Sequence, residues 1–473
     1  MKKEKTILIV LDGFDYSFIS KNSSQFSLFR NWLESGQLKV LNSVVPADSI
    51  PSWTSIYTGM NPAQHGIIES IDYLDKKTKV TGKSALLKNK TFWDKLSKNG
   101  KQVFIFNPFI ASPAWDVNGL MICKASLEDC KISTNKPDEV NTTNLLLGGD
   151  LKDNPNKKTI GKFLNDTIEM TENQFSSFNK YFSMKNYDFG FLGVTTPDRL
   201  QHFLWKYTDP DDYCYIKNNK YQNSILNGYK YFEKKLIDII KEYGDEYNIL
   251  VISDHGHGRR CQRTFYINQW LIVNSFIKPK GTKKRFIEYC KNLLLLMLAK
   301  THKVQIGMNF LKKFKFLYKV KNADYVFKKK GPIYAPNFDG VNPFGGICVK
   351  AEFYNSSEEY ELIRQSIIDK LKNLNDNGKK IIQWVKRREE VYQGEKVVNY
   401  PEIIYKMDDN YGVDRGLFGK RLFGISAFHE IVSGGHRYEG VMMSNETELL
   451  ANISSVIDIH NKILELYNIR ENE

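Results

Sequence analysis

The chain has 473 residues, is 41% hydrophobic and 26% charged, and carries a formal net charge of +14. That length exceeds what one small core needs and suits an α/β catalytic domain with an inserted or appended cap. The six cysteines (Cys123, Cys130, Cys214, Cys261, Cys290 and Cys348) are scattered without C-x-x-C spacing, which argues against a disulfide framework and for a reducing compartment.

The first element is the run TILIVL at 6–11, which ends on Asp12. It is too short for a secretory apolar segment and no small-residue cleavage site follows, so it reads as a strand. Further strand-like runs stand at 39–45, 102–106, 187–194 and 248–253, separated by helical periodicity in TFWDKLSKNG and NSILNGYKYFEKKLIDIIKEYG. This alternation predicts a mostly parallel central sheet flanked by helices on both faces. In such sheets ligands collect beyond the carboxyl ends of the strands, where Asp12, Asp198 and Asp254 all stand. The Asn/Lys-rich stretch 129–160 is expected to be a loop.

Residues 278–330 break the pattern, with 16 Lys and Arg against Glu288 and Asp324, a surplus that equals the charge of the whole chain. Interleaved with Leu, Phe and Tyr, they fit either the solvated face of a helical insertion or a basic amphipathic surface for anionic lipid or another polyanion. NLLLLMLA at 292–299 falls short of the ~20 apolar residues that cross a bilayer. A cytoplasmic protein is expected. GGICVKAEFY, SEEYELIRQSIIDKLKNL and IIQWVKRREEVY then predict a small strand–helix–strand unit, and GVMM a last core strand before a closing helix. The expected organisation is a first part of the α/β core over 1–277, a basic helical insertion with a small α+β cap over 278–400, and a return to the core over 401–473.

The chemistry lies at the strand ends. Asp254-His255 in VISDHGHG, Asp198 and His202 in TTPDRLQHF, and His436 in SGGHRYEG join Asp12. Any one such pair is common as a cap or surface ion pair; four elements on successive strand ends are not a coincidence. Mixed carboxylate and imidazole donors suit two divalent ions, Zn²⁺ or Mn²⁺, and imply a hydrolytic enzyme. Ser49, in PADSIPSWTS, precedes Pro51, which suits a first helical turn. At a helix N-terminus the backbone N–H groups and dipole favour an alkoxide and a phosphoryl oxygen, and a bound metal lowers the hydroxyl pKa. Ser52, Thr54 and Ser55 compete locally but fall inside the helix. Arg259, Arg260 and Arg263 follow the Asp-His turn and could neutralise phosphate. Asp15 reads as a helix-start acid and His65 as a packing residue; His257, two residues past His255, could approach the substrate but reads first as a structural or solvent-facing loop residue. His302, His429 and His460 lack an Asp nearby in sequence, with His429 a lesser alternative ligand.

LDGFD at 11–15, PADSIPSWTSIYTGMNPAQHGI, PDRLQH, SDHGHG and GGHRYEG occur in an order that resembles the alkaline phosphatase superfamily, in its type I phosphodiesterase and nucleotide pyrophosphatase branch, from about residue 5 to about 443. The resemblance implies an alkaline-phosphatase-like fold. It implies that Asp12, Ser49, Asp254 and His255 surround the ion that activates the nucleophile, and that Asp198, His202 and His436 hold the second. Ser49 would attack phosphorus in line, and water activated by metal would release the phosphoseryl intermediate. Sulfatases of the superfamily carry C/S-x-P-S-R, whereas here Trp53 replaces the Arg; the N-S-E-x-G-H context of cofactor-independent phosphoglycerate mutases is also missing. Ser70 stands where the branch usually has an Asn that contacts a phosphoryl oxygen, and a hydroxyl reaches less far than an amide. The expected protein is a two-metal phosphoester hydrolase of phosphodiesterase, nucleotide pyrophosphatase or phosphatase type, with Zn²⁺ expected and Mn²⁺ the alternative. The other readings are a phospho-group transferase on the same site and an inactive homologue that binds membrane or polyanion. Expected partners are a phosphorylated small molecule, glycan or nucleotide as substrate and an anionic membrane surface through 278–330, with no specific nucleic acid.

Overall fold

A computed structural model describes residues 3–67, 85–124, 131–148, 154–278, 282–301, 303–304, 307, 331–417, 421–426 and 429–470. The chain divides into two compact units, one of Met1–Leu204, Lys220–Gly258 and His436–Glu473, the other of Trp205–Asn219 and Arg259–Gly435. Element labels below refer to the first unit.

Its sheet holds β1 (Lys5–Leu11), β2 (Leu38–Asn42), β3 (Val103–Phe106), β4 (Gly119–Cys123), β5 (Ser133–Thr134), β6 (Phe189–Val194), β7 (Tyr247–Ile252) and β8 (Glu439–Ser444). The strand order is β2-β8-β7-β1-β6-β3-β4-β5. β1 runs parallel to both β6 and β7, and β3 runs parallel to β6 and β4. β8 is antiparallel to β7 and β2, and β5 to β4. The central runs ILIVL, FGFLGV and YNILVI are apolar almost throughout, as a sheet covered on both faces requires.

On one face Leu8, Val10, Phe191, Leu250 and Ile252 pack against Trp53, Ile56 and Tyr57 of α1 (Ser49–Thr58), the helix Phe92–Lys98, and Ile459 and Ile463 of a closing helix, Asp458–Leu466. On the other face Phe104 meets Phe178 and Phe182 of α2 (Ile160–Phe182), with ring centroids 5.4 and 5.9 Å apart. Phe182 in turn meets Tyr243 of the helix Ser224–Tyr243 at 5.2 Å. The predicted mostly parallel sheet between two helical layers is therefore present. The sequence reading missed β4 and β5, because GLMIC is short and lies beyond a loop rich in turn residues.

In the second unit, four antiparallel strands (Ile333–Tyr334, Phe344–Val349, Ile403–Met407, Ile382–Arg387) carry the helix Ser357–Lys372, whose Ile367, Ile368 and Leu371 pack on Ile347, Ile403 and Tyr405. This is the predicted strand–helix–strand element. A three-stranded sheet centres on Arg263–Tyr266, between Tyr411–Asp414 and Phe423–Ile425. Within the basic stretch the helix Thr282–Lys300 is described, and most of 302–330 lies outside the described residues. No described helix is long and apolar enough to cross a membrane. No disulfide joins the five described cysteines; Cys130 lies outside the described residues.

Candidate metal centre

Strand register brings the acids together. Leu11 of β1 pairs with Val194 of β6, and Val10 with Ile252 of β7, so the residues that leave these three strands emerge side by side. Asp12 follows β1, Asp254 follows β7 after Ser253, and Asp198 lies in the first turn of α3 (Thr196–Thr208), which follows β6. β8 runs against β7, which puts His436, just ahead of β8, at the same carboxyl edge. Ser49, beyond the end of β2, reaches that edge because β2 is antiparallel to β8.

The junctions are tight. Gly13 has φ +65° and donates its N–H to Asp254 Oδ1 at 3.1 Å, while its carbonyl accepts from Gln201 Nε2 at 2.7 Å. A Cβ on Gly13 would stand 3.1 Å from both Cβ and Oδ1 of Asp198, so only glycine satisfies both the left-handed backbone and the close approach.

α1 starts differently from the sequence reading. Asp48 is its N-cap and accepts from Ile50 N at 3.1 Å, so Ser49 is the first helical residue and Pro51 the third. Ser49 Oγ lies 3.2 Å from Asp12 Oδ1 and 3.1 Å from His255 Nε2. Its hydroxyl neighbours are engaged elsewhere: Ser52 Oγ donates to the Asp254 carbonyl at 2.5 Å, Thr54 Oγ1 to the Ile50 carbonyl at 2.8 Å, and Ser55 Oγ pairs with His65 Nε2 at 3.1 Å.

Around this serine, His255 Nε2 stands 3.5 Å from Asp12 Oδ1 and 3.4 Å from Asp254 Oδ2. In a second cluster His202 Nε2 is 3.2 Å from Asp198 Oδ2, and His436 Nε2 is 3.6 Å from Asp198 Oδ1 and 3.2 Å from His202 Nε2. Asp12, Asp254 and His255 are buried, whereas Ser49, His202 and His436 are partly exposed and form the open side. All seven residues belong to the first unit.

Histidine tautomers follow from what the rings touch. His255 Nδ1 lies 2.9 Å from the Gly256 carbonyl and His436 Nδ1 2.9 Å from the Ala47 carbonyl. A carbonyl only accepts, so both Nδ1 atoms carry a proton, which leaves Nε2, on the side of the acids, as the atom of each ring that can offer a lone pair to a cation. This is the arrangement in which an imidazole ligates a metal.

The electrostatics also call for cations. Burial, then the charges of Asp254 and Asp198, hold the Asp12 carboxyl well above the usual carboxylate range. Burial likewise raises Asp254 despite the opposing His255. For Asp198 burial works upward, but His202, His436 and His257 outweigh it and hold the group well below that range. Burial pushes His436 well down, and His255 adds to the effect. The ion-pair partners of the three acids among the described residues are all histidines, and Asp254 Oδ2 and Asp198 Oδ1 accept no hydrogen bond there. Three buried carboxylates that have no lysine or arginine partner among the described residues are costly unless metal ions neutralise them.

His257 is fully buried and so does not face solvent, one of the two roles expected of it as a loop residue, and its Nε2 lies 3.4 Å from Asp198 Oδ1. The available signal was its spacing from His255, since residues two apart in extended backbone share a side. Asp15 caps the helix Tyr16–Lys21 through Phe18 N at 2.6 Å and also accepts from His257 N at 3.1 Å. His429 pairs with Asp212 at 2.6 Å inside the second unit, a partner far away in sequence. His460 Nδ1 bonds the Tyr57 carbonyl at 2.7 Å. Arg259, Arg260 and Arg263 belong to the second unit, where Arg259 pairs with Asp209 at 3.0 Å and Arg263 with Asp376. Burial lowers the Arg260 pKa. Ser70 and His302 lie outside the described residues.

A profile described as type I phosphodiesterase / nucleotide pyrophosphatase matches residues 6–415. No curated protein matches the sequence. Among solved structures, phosphonoacetate hydrolase from Sinorhizobium meliloti 1021 in complex with phosphonoformate is similar at 15% identity and TM-score 0.55, covering 98% of this chain and 96% of that one. The same enzyme with phosphonoacetate gives 15% identity, TM-score 0.53 and the same coverage. Human ectonucleotide pyrophosphatase / phosphodiesterase 5 gives 13% identity and TM-score 0.48, covering 98% and 95%.

Proposed function

We propose a reaction from one premise: the chain belongs to the type I phosphodiesterase / nucleotide pyrophosphatase family, and is thus a metal-dependent hydrolase of phosphoric ester or phosphoanhydride bonds. In this reading Ser49 is the nucleophile. The observation that carries it is the position of Ser49 Oγ, 3.2 Å from Asp12 Oδ1 and 3.1 Å from His255 Nε2 on the open side of the acid–histidine cluster.

Two divalent cations, Zn²⁺ by donor chemistry, suit this set. Asp12, Ser49, Asp254 and His255 would hold one, and Asp198, His202 and His436 the other. When bound they neutralise the carboxylates and lower the pKa of hydroxyl and water. The chain supplies orientation. Asp12 accepts the hydrogen bond of Ser49 and fixes its oxygen, while the positive end of the α1 dipole favours the negative charge of an incoming phosphoryl group. The Ser49 Oγ–P bond forms as the P–O bond to the leaving group breaks; the Ser49 hydroxyl loses its proton to solvent, and the leaving oxygen takes one up. Water then cleaves the phosphoseryl ester and restores the hydroxyl. An alcohol in place of water makes the same site a transferase.

The test is turnover by Zn²⁺-loaded protein of p-nitrophenyl phosphate, its bis-ester, a nucleoside triphosphate and p-nitrophenyl sulfate. Phosphonoacetate joins this panel because a phosphonoacetate hydrolase shares the fold. Hydrolysis of a phosphorus substrate but not of the sulfate is expected. Ser49→Ala should lower kcat by about 10³-fold or more with both ions retained. Activity within a few-fold of wild type would remove Ser49 from this role.

A further inference from the structure

The second cluster holds one more imidazole than the ligand set just assigned. We propose that His257 is a fourth protein ligand of the second cation, so that Asp198 and three imidazoles, those of His202, His257 and His436, surround it. The proposal rests on the two-cation reading above.

Geometry carries it. A tetrahedral ion with bonds of about 2.0–2.1 Å sets neighbouring donor atoms about 3.3 Å apart. The separations in this cluster are 3.2 Å for His202 Nε2 to Asp198 Oδ2, 3.2 Å for His436 Nε2 to His202 Nε2, 3.6 Å for His436 Nε2 to Asp198 Oδ1 and 3.4 Å for His257 Nε2 to Asp198 Oδ1. Ligand atoms of Asp198, His202 and His257 all lie within 4.8 Å of one another, and the His202 and His257 rings stand 4.7 Å apart at 80°. Edge-on imidazoles that turn nitrogens to a shared carboxylate are arranged as ligands are, not as a stacked core pair.

The backbone of His257 is held in place. Its N–H donates to Asp15 Oδ2 at 3.1 Å. On one side, a Cβ on Gly256 would sit 2.0 Å from the Glu439 carbonyl oxygen and 2.7 Å from Asp15 Oδ2; on the other, a Cβ on Gly258 would meet Arg437 Nε at 3.1 Å. The segment can shift little, and the ring stays aimed at Asp198.

The consequence is selectivity. The first set offers two carboxylates, a hydroxyl and one imidazole, whereas the second would offer three imidazoles to one carboxylate. Nitrogen-rich sites favour Zn²⁺ and Co²⁺ over Mn²⁺ and Mg²⁺. Mn²⁺ should therefore fill the second set poorly.

Competition with a chromophoric chelator measures both affinities, and anomalous diffraction from Zn²⁺-loaded crystals of the unaltered protein locates the ions. Wild type should bind two Zn²⁺. His257→Ala should weaken the second by tenfold or more while the first stays within threefold, and His257→Gln should do the same with folding confirmed by circular dichroism. In wild-type crystals His257 Nε2 should lie within about 2.3 Å of the second anomalous peak, near the usual Zn–N bond length. Two bound ions with His257 Nε2 more than 3 Å from either peak, or with both affinities unchanged in the variants, would overturn the proposal and leave the two-cation reading standing. Fewer than two ions in wild type would overturn both.

Discussion

Four hydroxyl side chains lie within residues 49–55, and what each oxygen touches separates them. Ser52, Thr54 and Ser55 spend theirs on a carbonyl or on His65, while Ser49 turns to Asp12 and His255. The same reasoning separates the arginines. Arg263 sends Nη2 to Asp376 Oδ1 at 2.6 Å, and Asp376 also accepts from Tyr411 Oη at 2.9 Å. The Arg263 hydrogen bond holds the Asp376 carboxyl below its usual range. Because that pKa is depressed in the fold, the pair stabilises above the unfolded value of about 3.9 and loses its effect as pH falls through the folded one. Arg263→Ala should cost ~1–3 kcal/mol in urea melts at neutral pH, shrinking below about pH 4, with KM for a phosphate substrate unchanged. A fivefold rise in KM would return Arg263 to a phosphate-binding role. At this scale the acids and histidines were legible because Asp-His and D-x-x-x-H spacings after apolar runs stand out. His257 was not, since a histidine two residues beyond another looks like loop until the strand direction is known. The partner of His429 was equally hidden: Asp212 is more than two hundred residues away.

Elements deliver these side chains through junctions that leave no slack. β1, β6 and β7 were readable because sheets covered on both faces need apolar residues at nearly every position. β4 was not: GLMIC is five residues, and Gly119 fits there only because a Cβ would lie 1.9 Å from the Val103 carbonyl oxygen, a constraint set by a neighbouring strand. The start of α1 was placed one residue late for a similar reason, since Asp48 and Ser49 both cap helices well and only coordinates choose between them. The turn after β1 makes the sharpest test. Gly13→Ala forces a left-handed residue, at about 1–2 kcal/mol, and presses its methyl onto Asp198. The melting temperature should fall by several degrees, and affinity for the second ion about tenfold, while the first ion is held as before. Unchanged affinity in chelator competition would mean that the turn yields without moving Asp198.

For the molecule as a whole, the centre trades apo stability for chemistry. The three acids and the histidines that face them lie in one unit, drawn from segments that begin near residue 12 and end near 436, so an ion bound among them ties together the start, middle and end of that unit. Without cations Asp12 and Asp254 are raised by burial and by neighbouring acids, a cost that the fold alone bears. A cation that binds the folded chain and not the unfolded one stabilises by about 2.7 kcal/mol when present at a hundred times its dissociation constant. Stripping the protein with a chelator should therefore lower its melting temperature by several degrees, and Zn²⁺ should restore it more fully than Mg²⁺, which prefers oxygen donors. Ser49→Ala should show nearly the same shift, because most donors remain, although its turnover should fall by about 10³-fold or more. That dissociation of stability from activity is what a metal cage demands if one of its weaker donors, the serine hydroxyl, is also the nucleophile. Identical melting curves for chelated and Zn²⁺-loaded wild type would mean that the clustered acids hold no ion in the folded chain.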